Sequence, residues 1–520
     1  MVRRILATAV AAALAATLSG AIPATAEPTT ADAGPVEQWR SYWVDAFNPG
    51  IYTKEQVTKL IADAKKINAN ALIVQTARRY DCFCNRALYP RTDAAIAPAP
   101  YDPLDEVIRQ AHAAGLEVHA WVNVSTLWNS ATPPSSPDHV YNTHGFTAEG
   151  ADRWLNKRVD GAEMVGNNTF IDPANPAAVN YIVAAIQSIV REYDVDGINL
   201  DYIRYPDYNS STTHSDWGYS EVSIARFQAA TGRTDVPAPD DPQFSEWRRQ
   251  QVTNLVRKIY LGMWEVDPTA RLSMDGITYG YGPQSVGGWE KTRTYAEVLQ
   301  DWKGWLSEGI MDTVVAMNYK RNWMPDQAQM FAEWNEVLAD WQGDRQAVVG
   351  PALYLNEIDD SVAQVHAALA PTAKGNTVAG WSGYSYANPS LTAASGSQAV
   401  KDAERDRLAA ALTAEGAPFA DDAVVPSMPW KESPTEGHVT GRVTVDGVAL
   451  DSVTVTLQPL GRSGEAITRT TDGDGWFGFV HLKPGRYLVR ITKPYDMAGS
   501  PVRIITVSAG KISDATVAFR

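Results

Sequence analysis

The stretch VREYDVDGINLDYIRYPD, residues 190–207, holds the residues best suited to chemistry. Its apolar Ile198 and Leu200 alternate with Asn199 and Asp201, so one strand face can pack while the other carries an amide and a carboxyl. A carboxylate transfers protons or attacks carbon when a strand delivers it to a cleft rather than a core. Arg204 and Tyr205 follow within hydrogen-bonding reach of the same opening, and Tyr202 beside Asp201 is a further candidate to bind a ligand. Asp201 is therefore the leading catalytic candidate. Asp194 and Asp196 precede the strand and are expected to serve stability at its other end.

Delivering Asp201 to a cleft requires a scaffold, and the chain has the pattern of one. Strand-like segments at 39–47, 71–76, 116–124, 196–201, 271–275, 313–318, 347–354 and 377–382 alternate with helical ones, among them 53–68, 101–114, 177–194, 247–265, 295–309, 327–341 and 361–369. Eight strands, each followed by a helical pattern, predict an α/β fold of the (β/α)8 TIM-barrel type over residues 36–425. A doubly wound open sheet is disfavoured, because no Gly-rich phosphate loop follows the first strand.

Barrel chemistry gathers at the C-terminal strand ends. Alternation places Trp43 and Asp45 inside at the first strand, Trp121 and Asn123 at the third, and Asn199 and Asp201 at the fourth. Gln75, Asp275, Asn318 and Trp381 end four others, and Arg78 lies just past the second. Arg78 would bind a carboxylate or acetamido oxygen, or pair with a surface acid. One polar strand end is ordinary, but seven converging on one mouth predict a pocket for a polar ligand.

Composition narrows the partners. A net charge of −15 disfavours nucleic acid and anionic membranes. Arg3-Arg4, an apolar run and Ala24-Thr25-Ala26 form a leader over residues 1–26, so secretion is expected, with no membrane span. Seventeen tryptophans offer flat apolar faces, and Trp43, Trp121, Trp128, Trp323 and Trp381 are candidates to stack on rings of a ligand. Cys82 and Cys84 could bridge each other through a small, strained ring, and a metal site there is disfavoured because no further ligands stand nearby. No metal ion or cofactor is expected, and the sequence carries no signal for an oligomeric state. The G-x-S-x-G serine-hydrolase motif is broken in GWSGYS, and a paired-histidine zinc motif is missing.

After a linker at 426–435 the character changes. Residues 436–520 show short β-runs punctuated by Asp446-Gly447, Asp474-Gly475 and Pro484-Gly485, predicting a small antiparallel sandwich. Its TTDGDGWFGFVHLKPGRYLVRI resembles the carboxypeptidase regulatory-like domain. Asp472 and Asp474 are read as turn residues, since a calcium loop needs more oxygens at set spacing.

The segments YDVDGINLDYIRYP, YDPLDEVIRQAHAAGLEVHAWVN, FIDPANPAAVNYI and YAEVLQDWKGWLSEGIMDTVVAMNY closely resemble the glycosyl-hydrolase-like family 10 proteins. The resemblance implies a barrel glycosidase acting on a polysaccharide or oligosaccharide, with Asp201 as nucleophile; some relatives act on bacterial cell-wall glycan. Many relatives carry a second aspartate where this chain has Tyr202, and Pro-Gln-x-Tyr-Trp where it has Met317-Asn318-Tyr319-Lys320. Glycoside cleavage usually takes two carboxyl groups. Asp275 is the first choice for the second, Glu290 the next and Asp172 the third, although a helix N-cap explains Asp172 equally well. A substrate N-acetyl group could replace the protein nucleophile, with Asp201 orienting it. The alternative from another class is a barrel that binds carbohydrate without cleaving it.

Overall fold

The computed structural model describes residues 36–461, 463–492 and 501–520. The expected leader lies outside the described residues. Eight parallel strands close a barrel: β1 (Trp39–Val44), β2 (Ala71–Ala77), β3 (Glu117–Asn123), β4 (Gly197–Asp201), β5 (Arg271–Ile277), β6 (Thr313–Met317), β7 (Gln346–Gly350) and β8 (Gly380–Tyr384). Each strand pairs with its sequence neighbours, and β8 pairs with β1 to complete the ring.

The helices that return the chain carry their own start signals. Thr53 caps α1 (Lys54–Lys66) by accepting from the Gln56 N–H. Asp102, Asn175 and Asp241 do the same for α2 (Pro103–Ala113), α3 (Pro176–Glu192) and α4 (Pro242–Val266), each with proline in the first turn. Gly115 follows α2 at φ 72°, a conformation costly for any residue with a Cβ. The ring of helices continues with α5 (Trp302–Glu308), α6 (Pro325–Trp341), α7 (Ile358–Leu369) and α8 (Gln398–Thr413).

One departure follows from local chemistry. The helix expected at 295–309 is split. A short turn at Arg293–Ala296 ends before Leu299, which sits at φ 54°, and Asp301 then caps α5 by accepting from the Gly304 N–H at 3.1 Å.

Two apolar shells hold the barrel. Outward residues such as Ile198, Leu200, Leu272 and Val314 pack against the helices. Trp39, Trp43, Ile73, Trp121, Val315 and Val348 fill the interior beneath the mouth. Gly350 leaves room for the Trp43 ring, which a Cβ there would strike. Together these shells make the strand ends a stiff frame.

The C-terminal strands form two sheets. One is built on β9 (Gly437–Val445), paired with β12 (Trp476–Leu482); the other runs through β11 (Ile467–Thr470), β10 (Thr454–Pro459), β13 (Gly485–Ile491) and β14 (Val502–Val507). Ion pairs fasten this unit to the barrel: Arg226 to Asp451 at 2.6 Å, and Lys258 to Asp472 at 2.9 Å. Asp472 also accepts from the N–H groups of Asp474 and Trp476, closing the turn. The stretch 426–435 packs on the barrel, where Lys431 pairs with buried Asp312 at 2.8 Å. Among the described residues, no helix is long and apolar enough to cross a membrane.

Candidate active site

Register decides which side chains meet. Asn123 on β3 pairs with Asp201 on β4, and Leu200 pairs with Met274, so Asp201, the last residue of β4, and Asp275, two residues before the end of β5, sit side by side on adjacent strands. Both carboxyls line one cavity of about 400 Å³ at the C-terminal mouth, together with Trp43, Gln75, Trp121, Asn123, Tyr202, Arg204 and Tyr319. Further lining residues that the sequence pattern does not mark include Arg79, Asp207, Tyr279, Lys320 and Tyr384.

Asp201 is 6% exposed. Its carboxyl accepts from the Tyr202 N–H at 2.7 Å and the Trp121 indole at 3.2 Å. Burial raises its pKa to about 6, against the pull of Arg204 and these donors toward the ionised form. Tyr202, at φ 51°, turns the backbone so that its N–H points back at the carboxyl.

Asp275 is 2% exposed, and its Oδ1 is buried without a hydrogen-bond partner. Burial drives its pKa well above the usual carboxylate range, and the nearby Asp201 charge drives it further. Asn199 and Trp43 favour its ionised form but are outweighed. The pair therefore gives up its first proton mainly from Asp201 and keeps the second mainly on Asp275.

Arg204 completes the sorting. Its guanidinium pairs with Asp207 at 3.1 Å and lies 4.4 Å from the Tyr202 ring centroid. The Tyr279 hydroxyl donates to the other Asp207 oxygen at 3.0 Å. Burial opposes the arginine's charge, yet Asp207, Tyr279, Tyr202 and Asp201 hold its pKa above the ordinary value. A fixed cation thus stands beside the more acidic member of the pair.

Aromatic rings supply the walls. Tyr319 and Tyr384 stack at 5.2 Å between centroids, and Trp43 meets both edge-on. Gln75 accepts from the Ala46 N–H and contacts Asn123 at 3.4 Å, which fixes two amides under the opening. Lys320 is 6% exposed and donates to the Thr278 carbonyl at 2.8 Å; burial lowers its pKa to about 7.

Several sequence expectations are corrected. Trp381 faces the helices, packed on Tyr42 and Phe419, because β8 starts at Gly380 and pairs Trp381 with Arg40; Tyr384 is the inward residue at that strand's end. Glu290 is exposed in the short turn Trp289–Lys291 and does not line the mouth. Arg78 is spent on the Ala46 carbonyl and Asp81, and its neighbour Arg79 lines the cavity instead. Asn318 points behind the mouth, donating to the Phe331 carbonyl and to Asn335. Asp45 caps a turn, accepting from the Phe47 and Asn48 N–H groups.

Other candidates resolve in the same way. Asp172 is buried away from the mouth, accepting from Ser223 and the Ala174 N–H. Trp128 packs on His139 and Tyr141, and Trp323 is 54% exposed. Asp196 holds the Val118 N–H at 2.7 Å at the opposite end of the barrel. Cys82 and Cys84 are bridged.

Fold and site define a (β/α)8 barrel with two buried carboxyls in its mouth. Residues 38–366 match the Glycosyl hydrolase-like 10 family, more than half of the 520-residue chain, and the chain belongs to that family. It is similar to Glycosyl hydrolase YngK of Bacillus subtilis (strain 168), 25% identical over 335 residues that cover 60% of this chain and 59% of that protein. It is also similar to Glycosyl hydrolase DigH of Escherichia coli (strain K12), 24% identical over 267 residues covering 49% of this chain and 53% of that protein. The chain thus spans between half and three-fifths of the length of these curated relatives. Among solved structures, the PgaB (BpsB) glycoside hydrolase domain from Bordetella bronchiseptica aligns at 14% identity, covering 71% of this chain and 98% of that one, with a TM-score of 0.48.

Proposed function

We propose that this protein is a secreted glycoside hydrolase that cleaves O-glycosidic bonds of a polysaccharide, with bacterial cell-wall glycan the first substrate to test. Asp201 acts as nucleophile and Asp275 as general acid. One observation carries the reading: two buried carboxyls stand side by side on adjacent strands in one mouth, and their surroundings push their protonation apart. Acetal cleavage needs that division, an acid to protonate the leaving oxygen and an ionised carboxylate at the anomeric carbon.

The remaining residues support the same chemistry. Trp43, Tyr319 and Tyr384 offer ring faces and edges to a sugar, and Gln75 and Asn123 offer amides to its hydroxyls. Arg204, held by Asp207, keeps Asp201 ionised as the acid end of the working range is approached. The C-terminal unit, which resembles the carboxypeptidase regulatory-like domain, braces α4 and takes no part in the chemistry.

The test is product release from a glycan panel that includes peptidoglycan strands stripped of peptide, read as new reducing ends and product masses. Wild type should release products that Asp201→Asn does not. Binding without any product, from wild type as from the variant, would replace the hydrolase with a carbohydrate-binding barrel.

A further inference from the structure

The two arginines after β2 have different fates. Arg78 is consumed by the Ala46 carbonyl at 3.2 Å and Asp81 at 3.4 Å. Arg79 has its backbone clamped on both sides, its N–H donating to Asp81 at 3.1 Å and its carbonyl accepting from His139 at 2.9 Å. Its side chain lines the mouth, with the guanidinium carbon 4.9 Å from the Phe47 ring centroid. Phe47 is itself placed by the Asp45 carboxylate, which holds its N–H. Among the described residues the Arg79 guanidinium makes no ion pair, and its Nε is buried without a hydrogen-bond partner. Burial lowers its pKa to about 10, so it stays charged at neutral pH.

The charge around it is also unusual for this chain. Arg79, Arg204 and Lys320 line the cavity with Asp201, Asp207 and Asp275. Arg204 is neutralised by Asp207, and burial keeps Asp275 protonated. What remains is Asp201 against Arg79, with Lys320 only partly charged near neutral pH, so the mouth is close to neutral in a protein of net charge −15.

Resting on the glycosidase reading, we propose that Arg79 forms a subsite for the carboxylate of an acidic sugar. A fixed, partnerless guanidinium presents two parallel N–H donors to a planar carboxylate. Phe47 backs that fork on one side, and the aromatic walls continue from it toward the carboxyl pair. A single guanidinium matches one negative charge; a phosphate or sulfate ester would call for further donors at the same point. Lys320 stands after β6, across the barrel from β2, and serves another part of the substrate.

The experiment uses the full chain carrying Asp201→Asn, so that ligands persist, and measures binding by calorimetry. One probe pair is peptide-free peptidoglycan strands with lactyl carboxylates against the same strands methyl-esterified. The other is oligoglucuronate against its carboxyl-reduced form. In at least one pair the acidic member should bind about tenfold or more tighter, as expected for a charge-assisted bidentate contact. The pair that responds identifies the source of the carboxylate. Adding Arg79→Gln should erase the preference, Arg79→Lys should keep part of it, and both should leave the thermal midpoint unchanged. Equal binding within both pairs, failure of both acidic glycans to bind, or equal weakening of both members by Arg79→Gln would overturn the subsite. Product release from neutral glycans alone would sink the subsite and spare the hydrolase; a carboxylate preference with no product from wild type would do the reverse.

Discussion

Replacing Asp201 by asparagine should stabilise the folded protein at alkaline pH and weaken it slightly in acid. The folded carboxyl is raised from 3.8 to about 6 at a site that is 6% exposed. Such a rise corresponds to about 3 kcal/mol. Between those two values the folded chain binds the proton more tightly than the unfolded chain, so stability falls as pH rises from about 4 to about 6. Asparagine does not titrate and removes that loss. It also has one oxygen where the carboxylate offered separate oxygens to Tyr202 and Trp121. One of these donors is left facing an amide NH2, at a cost of about 1 kcal/mol. The net expectation is a gain of about 2 kcal/mol at pH 8 and a loss of about 1 kcal/mol at pH 4. For a chain this size the gain should appear as a rise of about 2 °C in apparent midpoint. Scanning calorimetry at one scan rate, on wild type and variant at pH 4, 6 and 8, reads it directly. A midpoint difference that stays constant with pH, or grows in acid, would refute the electrostatic reasoning.

Further perturbations separate the other roles. Arg204→Gln withdraws the cation beside Asp201, and the ascending limb of the kcat/KM profile should move up by about one pH unit; an unmoved limb would detach Arg204 from the pair. Glu290→Gln alters an exposed turn outside the mouth and should change turnover by less than about twofold. Trp381→Ala empties a site between β8 and the helices and should cost about 3–5 kcal/mol of stability with KM unchanged. Tyr384→Ala, by contrast, should raise KM several-fold with a smaller loss of stability; the opposite pattern for the two would return Trp381 to the mouth.

The scaffold is legible because β/α alternation leaves a strong periodic trace, and each of the eight barrel strands overlaps a segment that the pattern marks. Ile198 and Leu200 against Asn199 and Asp201 read cleanly because apolar and polar residues divide by parity. Trp381 failed that test because β8 begins three residues later than its apolar run, and a displaced start inverts every facing. Arg78 and Arg79 are chemically identical in sequence; only the path of the chain past Asp81 decides which is consumed. Glu290 was attractive for lying just after β5, but loops scatter side chains where strand ends converge them. Asp207 and Tyr279 could have been suspected from their nearness to the ends of β4 and β5, whereas their partnership with Arg204 is tertiary.

The division of labour between the two carboxyls is tested most directly by leaving-group dependence. Asp201→Asn and Asp275→Asn would be assayed on the natural glycan and on an activated aryl glycoside of the same sugar, whose leaving group needs no proton. The account predicts that Asp275→Asn loses on the order of a hundredfold or more on the glycan and recovers most of it on the aryl glycoside, while Asp201→Asn stays impaired on both. Equal losses for Asp275→Asn on the two substrates, or recovery of Asp201→Asn instead, would contradict it.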